Sequence, residues 1–508
     1  MKCRKKYIFS KDSIPKSNSK HKLKCIDGVF FVYDTQMINS KVYLSEDPLI
    51  KIETRSKFLN NYHFISKLAD NEEVRKFCSL RLEILEKLFH FFELVNGKYE
   101  QITYKTKEET DSKKSRNSVS MYDIEKCDNY LILKYALNKG DLINYMEKEK
   151  EKLIQEDSTF QESGSLNLNY FISKYFNFTD QYPHFSKLLN KSFNVKPSDH
   201  NQLFECVVDI NGTSPNEWET LASFIKNNGL ANQDKIRLII NLPPLYHEHK
   251  HNKLVQNFEE LLINFFEPLF KATESPESYP ILVELISQIS GFSTILEDKP
   301  GSMEDIPPKS WSTDNNPGFL YYLYYIWANV RSLNALRVTK GLSPFLFKPV
   351  SSGRNRDYDH LYSTFLVSDC VFLSRPTISK SPVMQFLFYL TRVGLITSLM
   401  YSNHLAHRHF KNPFQVMFKR GLRVSLASHS PTIFHISKDA LGEEYSIVTH
   451  MWKFGIVDNN EMCKNSIINS GFIIPGGIKS VPEIRQRYRK VTHEKELDPF
   501  INPHYKPK

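Results

Sequence analysis

From about residue 124 onward, short apolar runs of strand length alternate with stretches whose apolar residues recur at helical spacing. That alternation limits the fold more than any other feature of the chain. The strand-like runs are residues 130–133, 204–210, 236–242, 345–349, 395–400 and 424–428, and the helical patterns between them include 258–270 and 318–336. Strands spaced this way rejoin one another through crossover helices, so the sheet they build is parallel. At this length an α/β fold closed as a (β/α)8 TIM-type barrel is the natural solution, with its chemistry at the C-terminal ends of the strands. No internal repeat argues for a solenoid instead.

The residues ahead of the barrel read differently. Residues 1–24 hold nine lysines and arginines against Asp12 alone, so most of the +10 formal charge of the 508-residue chain sits in this basic tail. Such a tail is expected to be a disordered, solvated arm, and any nucleic-acid contact is confined to it. A strand at 27–33 leads into a helical stretch at 73–94, apolar through Val74, Phe77, Leu80, Leu82, Leu85, Leu88 and Phe91. Polar runs at 105–120 and 158–167 read as surface loops. The expected organisation is a basic tail over 1–24, an N-terminal strand and helical extension over 25–120, a barrel over 121–500 and a short tail over 501–508.

No apolar core of a secretory signal follows the N-terminal charges. The best membrane candidate, residues 382–401, is broken by Gln385, Arg392 and Gly394 and reads as a buried strand with its helix. Seven cysteines without a CxxC pair suit reduced, mostly buried thiols. The expectation is a cytoplasmic protein without membrane contact.

A series of landmarks carries a resemblance. They are Phe77-Cys78 with Arg81-Leu82, Ser214-Pro215 with Glu217-Trp218, and the run from Pro268 to Thr273. Asn316-Pro317 is followed by Tyr321-Tyr322-Leu323-Tyr324-Tyr325, and later come Lys380-Ser381-Pro382-Val383, Lys411-Asn412-Pro413, Glu443-Glu444-Tyr445, Trp452-Lys453 and Asn465-Ser466. In this order, from about Asp27 to Tyr488, they resemble the AMP deaminase family. The resemblance implies a metallo-dependent hydrolase barrel that removes the 6-amino group of AMP. It also implies a zinc that activates water, a base and a carboxylic acid that move protons, and assembly as oligomers.

The family's working positions hold other residues here. Where it reads K-V-D-T-H-I-H, this chain reads Lys126-Cys127-Asp128-Asn129-Tyr130-Leu131-Ile132, so Tyr130 and Ile132 replace two zinc ligands. In Pro349-Val350-Ser351-Ser352-Gly353, Val350 replaces the third ligand, and the glutamate falls on Gly353, or on Ser352 if the local insertion is placed differently. Leu373 takes the catalytic histidine's place, and His429 and Ser430 replace the paired aspartates of S-T-D-D-P. A catalytic zinc needs about three protein ligands, and His429 is the one replacement able to bind it. The resemblance with these substitutions predicts a pseudoenzyme that takes no zinc, is not an enzyme and works by binding. Its partners would be itself or an active AMP deaminase, with a purine nucleotide as ligand. Lys187 and Lys191 match the family's phosphate-side lysines and are candidate anion contacts, or ordinary surface lysines.

One alternative keeps chemistry in the chain. His404, His407 and His409 follow a candidate strand, and with His429 they could build a new metal site for another purine-like substrate. His247, His249 and His251 alternate in a polar run that reads as a solvated loop.

Overall fold

The structure is a computed structural model. It describes residues 21–38, 41–111, 124–148, 172, 188–189, 192–193, 202–230, 234–294, 305–352, 358–406, 412–473 and 480–501. The bulk of the basic tail, the 158–167 run, Lys187, Lys191, Gly353, His407 and His409 lie outside these residues.

The strands from Lys126 onward form a parallel ring. β4 (Lys126–Ile132), β5 (Gln202–Asp209), β6 (Ile236–Asn241), β7 (Ile289–Ser293) and β8 (Leu346–Phe347) run side by side in that order. β9 (Val350–Ser351), β10 (Cys370–Leu373), β11 (Gly394–Thr397) and β12 (Val424–Leu426) continue it. β8 and β9 are one strand interrupted at Lys348-Pro349, where proline has no N–H to give the ladder. Backbone bonds from Lys348 N to Phe292 O at 2.8 Å and from Val350 N to Thr294 O at 3.2 Å carry the ladder across the break. The ring closes between β12 and β4, where Ile132 N donates to His429 O at 2.9 Å and His429 N to Tyr130 O at 3.0 Å. Eight strand positions, parallel and alternating with helices, make this the expected (β/α)8 barrel.

Ahead of the barrel, β1 (His21–Ile26), β2 (Val29–Ile38) and β3 (Lys41–Leu44) form an antiparallel sheet, followed by α1 (Arg55–Asp70) and α2 (Glu72–Asp111). The sheet is tied to the barrel's shell through Asn329, which accepts from Phe30 N at 2.9 Å and donates to Gly28 O at 2.9 Å. The longer shell helices are α3 (Lys139–Lys148), α4 (Glu217–Asn227), α5 (Phe258–Glu274), α6 (Phe319–Thr339), α7 (Asp359–Val367), α8 (Pro382–Thr391), α9 (Ala440–Trp452), α10 (Ile456–Ile468) and α11 (Glu483–Ile501).

Local chemistry explains their limits. Ser381 caps α8 by accepting from Met384 N, Pro382 starts it, and Arg392 ends it in the left-handed region. The tyrosine-rich α6 buries residues on all its faces, so Tyr321, Tyr322 and Tyr325 are core.

Three expectations need correction. The 105–120 run is not wholly a loop, because α2 continues as helix to Asp111. Residues 246–251 form a short helix in which His249 is buried, so this run is not a solvated loop. The strands at 289–293 and 370–373 were not among the expected runs. Among the described residues no helix is long and apolar enough to cross a membrane. The described cysteines are all free, and all but Cys25 are buried.

Candidate functional site

Side chains at alternate strand positions face one side, and here one set faces the barrel axis. Tyr130, Val207, Ile239, Val350, Cys370, Phe372, Ile396 and Ala427 form an inner cluster separate from the larger core under the helices, with Ile132 and Tyr401 packed against it. Toward the C-terminal ends of the strands this cluster becomes aromatic. Tyr130 stacks on Phe372 at 4.4 Å between ring centroids, Phe372 on His429 at 5.1 Å, and His429 on Tyr401 at 3.9 Å. The Tyr130 hydroxyl meets Ser293 Oγ at 3.1 Å, and Ser293 Oγ donates to Lys348 O at 2.8 Å. Burial drives the Tyr130 phenol far above its ordinary range, so it stays protonated.

His429 sits at the end of β12 with a φ of +59°, a strained backbone for a residue with a Cβ. Its Nδ1 lies 2.9 Å from Ser430 Oγ. Burial, with the neighbouring His435, lowers its pKa to about 3, so the ring is neutral. The structure thus brings Tyr130, Ile132, Val350 and His429 to one place, at the barrel mouth. It does not bring Leu373 there. Cys370 and Phe372 share the inward face of β10, and Leu373 packs in the outer core. Phe372 is the side chain that enters the mouth, and the period of two along β10 was the signal for it. Ser352 Oγ lies 3.2 Å from His360 Nδ1, and that ring stacks on Phe319 at 3.9 Å. His404 belongs to the helix Leu399–Ala406.

A zinc requires converging deprotonated thiolates, carboxylates or neutral imidazoles. At the family's ligand positions the mouth supplies one imidazole, a protonated phenol and two alkyl side chains; the Asp209 carboxylate at the end of β5, near enough to act on Tyr130, accepts from Asn241 Nδ2 at 2.6 Å. Among the described residues no group of three or more His, Cys, Asp or Glu is placed to hold a metal. These residues do not fit the family's zinc.

A second polar group lies on the other side of β4 and β12. Asp128 accepts from Ser428 N at 3.0 Å and from Ser428 Oγ. Its carboxyl is pushed up to about 7 by burial, which the Ser428 bonds only partly offset. Glu444 of α9 accepts from Ser398 Oγ and Leu399 N, each at 2.7 Å, and lies 3.2 Å from His435 Nε2. His435 Nδ1 is buried without a hydrogen-bond partner. Asp128, Ser428, His435, Asn138 and Lys438 line a cavity of about 390 Å³. Glu443-Glu444-Tyr445 was visible as a scaffold landmark, but nothing local linked Glu444 to a histidine nine residues earlier.

A family model for AMP deaminase matches residues 175–476. The AMP deaminase of Arabidopsis thaliana is 29% identical over 507 residues, covering 90% of this chain and 58% of that protein. That of Dictyostelium discoideum is 28% identical, over 91% of this chain and 63% of the relative. Human AMP deaminase 3 is 28% identical, over 87% and 62%. The chain therefore spans about three-fifths of the length of the curated relatives it matches. Among solved structures, the N6-methyl-AMP deaminase of Arabidopsis thaliana aligns with a TM-score of 0.45 at 10% identity, over 76% of this chain and 99% of that one.

These relatives are enzymes, and that overturns two expectations. The substitutions at the strand ends do not make the chain a non-enzyme, and family membership implies zinc where none was expected. The implied zinc and the donor set at Tyr130, Ile132, Val350 and His429 disagree, and both stand as findings. A match over residues 175–476, more than half of the chain, carries the family assignment: the chain belongs to the AMP deaminase family.

Proposed function

We propose that this chain serves purine nucleotide metabolism in the cytoplasm through association, as a family barrel that pairs with itself or with another AMP deaminase and binds a purine nucleotide. The observation behind this reading is the aromatic stack of Tyr130, Phe372, His429 and Tyr401, which fills the barrel mouth with side chains. A filled mouth leaves the outer surfaces as the place where the chain meets other molecules. Co-expression with an AMP deaminase tests it, reading both capture and the rate of ammonia release from AMP. Capture with a changed rate is expected. A monomer that captures no deaminase and leaves its rate untouched would sink the reading.

A second reading rests on the cavity beside Asp128. A carboxylate that orients one nitrogen of an imidazole and leaves the other unpaired is a setting for proton transfer, and Glu444 and His435 form such a pair. On this reading the cavity takes a purine-like substrate. The measurement is ammonia release from AMP and adenosine by the purified chain, with zinc content determined in parallel. Turnover lost in His435→Gln supports it, and no turnover at any zinc level removes it.

A further inference from the structure

We infer that the outer face of α2 is a contact between two copies of this chain, with the two helices antiparallel; this deepens the association reading and rests on it. α2 carries two apolar faces. Cys78, Leu82, Leu85, Phe89 and Phe92 are buried against the barrel's shell. Phe77, Leu80, Leu88, Phe91, Leu94 and Val95 lie on another face and are exposed by 49, 57, 43, 65, 71 and 61%. At 100° per residue these six, with the half-buried Ile84, make one stripe apart from the buried face, interrupted by Lys87, which pairs with Glu83 at 2.6 Å. A solvent-facing helix surface is ordinarily polar, and an apolar stripe of this length marks a contact. From Phe77 to Leu94 it runs about 25 Å at the rise of an α-helix. Beside it, Ile84 and Leu88 border a groove of about 630 Å³ whose other wall is Tyr488 and Val491 of α11.

The charges at the ends of the stripe select the occupant. Glu73 lies one turn before Phe77 and Lys98 one turn after Leu94, both exposed and on the same side of the helix. Read along the helix, the face runs from Glu73 through the apolar side chains to Lys98, while Lys76 and Lys87 on its flank are paired within the helix with Glu72 and Glu83. A two-fold axis near Ile84 and Leu88 sets Phe77 against Leu94 of the second copy and Leu80 against its Phe91. The same axis places Glu73 of each copy beside Lys98 of the other. A parallel arrangement would instead set like charges together. A surface complementary to itself under a two-fold rotation is what a dimer of identical chains requires.

Sedimentation of the full chain across a concentration series tests this. The expected wild-type species is twice the 59.5 kDa chain mass. Leu80→Glu and Phe91→Glu, at exposed positions, are expected to give monomers with an unchanged far-ultraviolet spectrum. Lys98→Glu alone should raise the dissociation constant, and Glu73→Lys with Lys98→Glu should restore it. A wild-type dimer indifferent to Leu80→Glu and Phe91→Glu overturns this contact while association stands. Failure of the charge exchange to rescue overturns the antiparallel register. A wild-type monomer at all concentrations overturns the inference, and capture of a deaminase then tests the association reading separately.

Discussion

Asp128 and His429 oppose one another as pH changes. Burial raises the Asp128 carboxyl from its ordinary 3.8 to about 7, so the folded state holds that proton more tightly than the unfolded chain does. Its contribution to stability is whole below about pH 4 and is lost as pH rises through 7. His429 is lowered from 6.5 to about 3, so its contribution is whole above 6.5 and is lost as pH falls through 3. Each shift corresponds to a few kcal/mol at about 1.4 kcal/mol per unit. Between pH 4 and 6.5 the slopes run against each other, and the wild-type profile is expected to be shallow. Asp128→Asn should become more stable with rising pH in that window, and His429→Asn less stable. Asparagine suits the second position because it tolerates a positive φ. Urea unfolding at pH 4.5, 5.5 and 6.5 measures this, and parallel profiles for all three proteins would refute it. Of the mouth, Tyr130, Ile132, Val350 and His429 were legible because strand ends could be found and a family frame laid over them. Phe372 was not, because counting along a motif overrides the alternation of a strand unless the strand itself is recognised.

At the scale of elements, one buried guanidinium ties α2 to both α10 and α11. Arg485 of α11 donates to Glu100 of α2 at 3.0 and 2.8 Å, and to Asp458 and Glu461 of α10 at 2.9 and 3.1 Å. It is nearly fully buried, and its neighbouring carboxylates raise its pKa further above the normal arginine range against the cost of burial. Removing one member of a buried ionic group leaves the others uncompensated, at about 3–5 kcal/mol. Arg485→Ala is expected to lose that much in chemical unfolding, and Arg485→Lys to recover only part, since a lysine cannot fork to several carboxylates. A loss below about 1 kcal/mol would contradict the burial seen here. The apolar period of α2 was plain in the sequence, but not which of its two faces would be covered. β7 and β10 escaped notice because Ile289–Ser293 contains serine and glycine, and Cys370–Leu373 is only four residues long.

Across the whole molecule, the barrel's interior is crossed by an ion pair. Lys348 Nζ and Glu205 Oε2 meet at 2.5 Å, both side chains fully buried, and Asn129 Nδ2 and Gly471 N also donate to Glu205. Lys348→Met strands that carboxylate, and a loss of about 3–5 kcal/mol is expected in equilibrium unfolding. Adding Glu205→Gln should return much of it; a double variant no better than the single would reject the pairing as the cause. The parallel barrel was legible because alternation of strands and helices is a property of long stretches. The pair was not, since it joins residues 143 positions apart.

The ring is closed between β12 and β4 by two backbone bonds, Ile132 to His429 and His429 to Tyr130. Thermal opening then has one preferred line, as a cylinder with a single seam unrolls. Amide exchange is expected to run faster at Ile132 than at Val208, which sits mid-ladder. The strands keep their crossover helices when the seam parts. The unrolled sheet, and not the single strand, would be the unit that comes and goes.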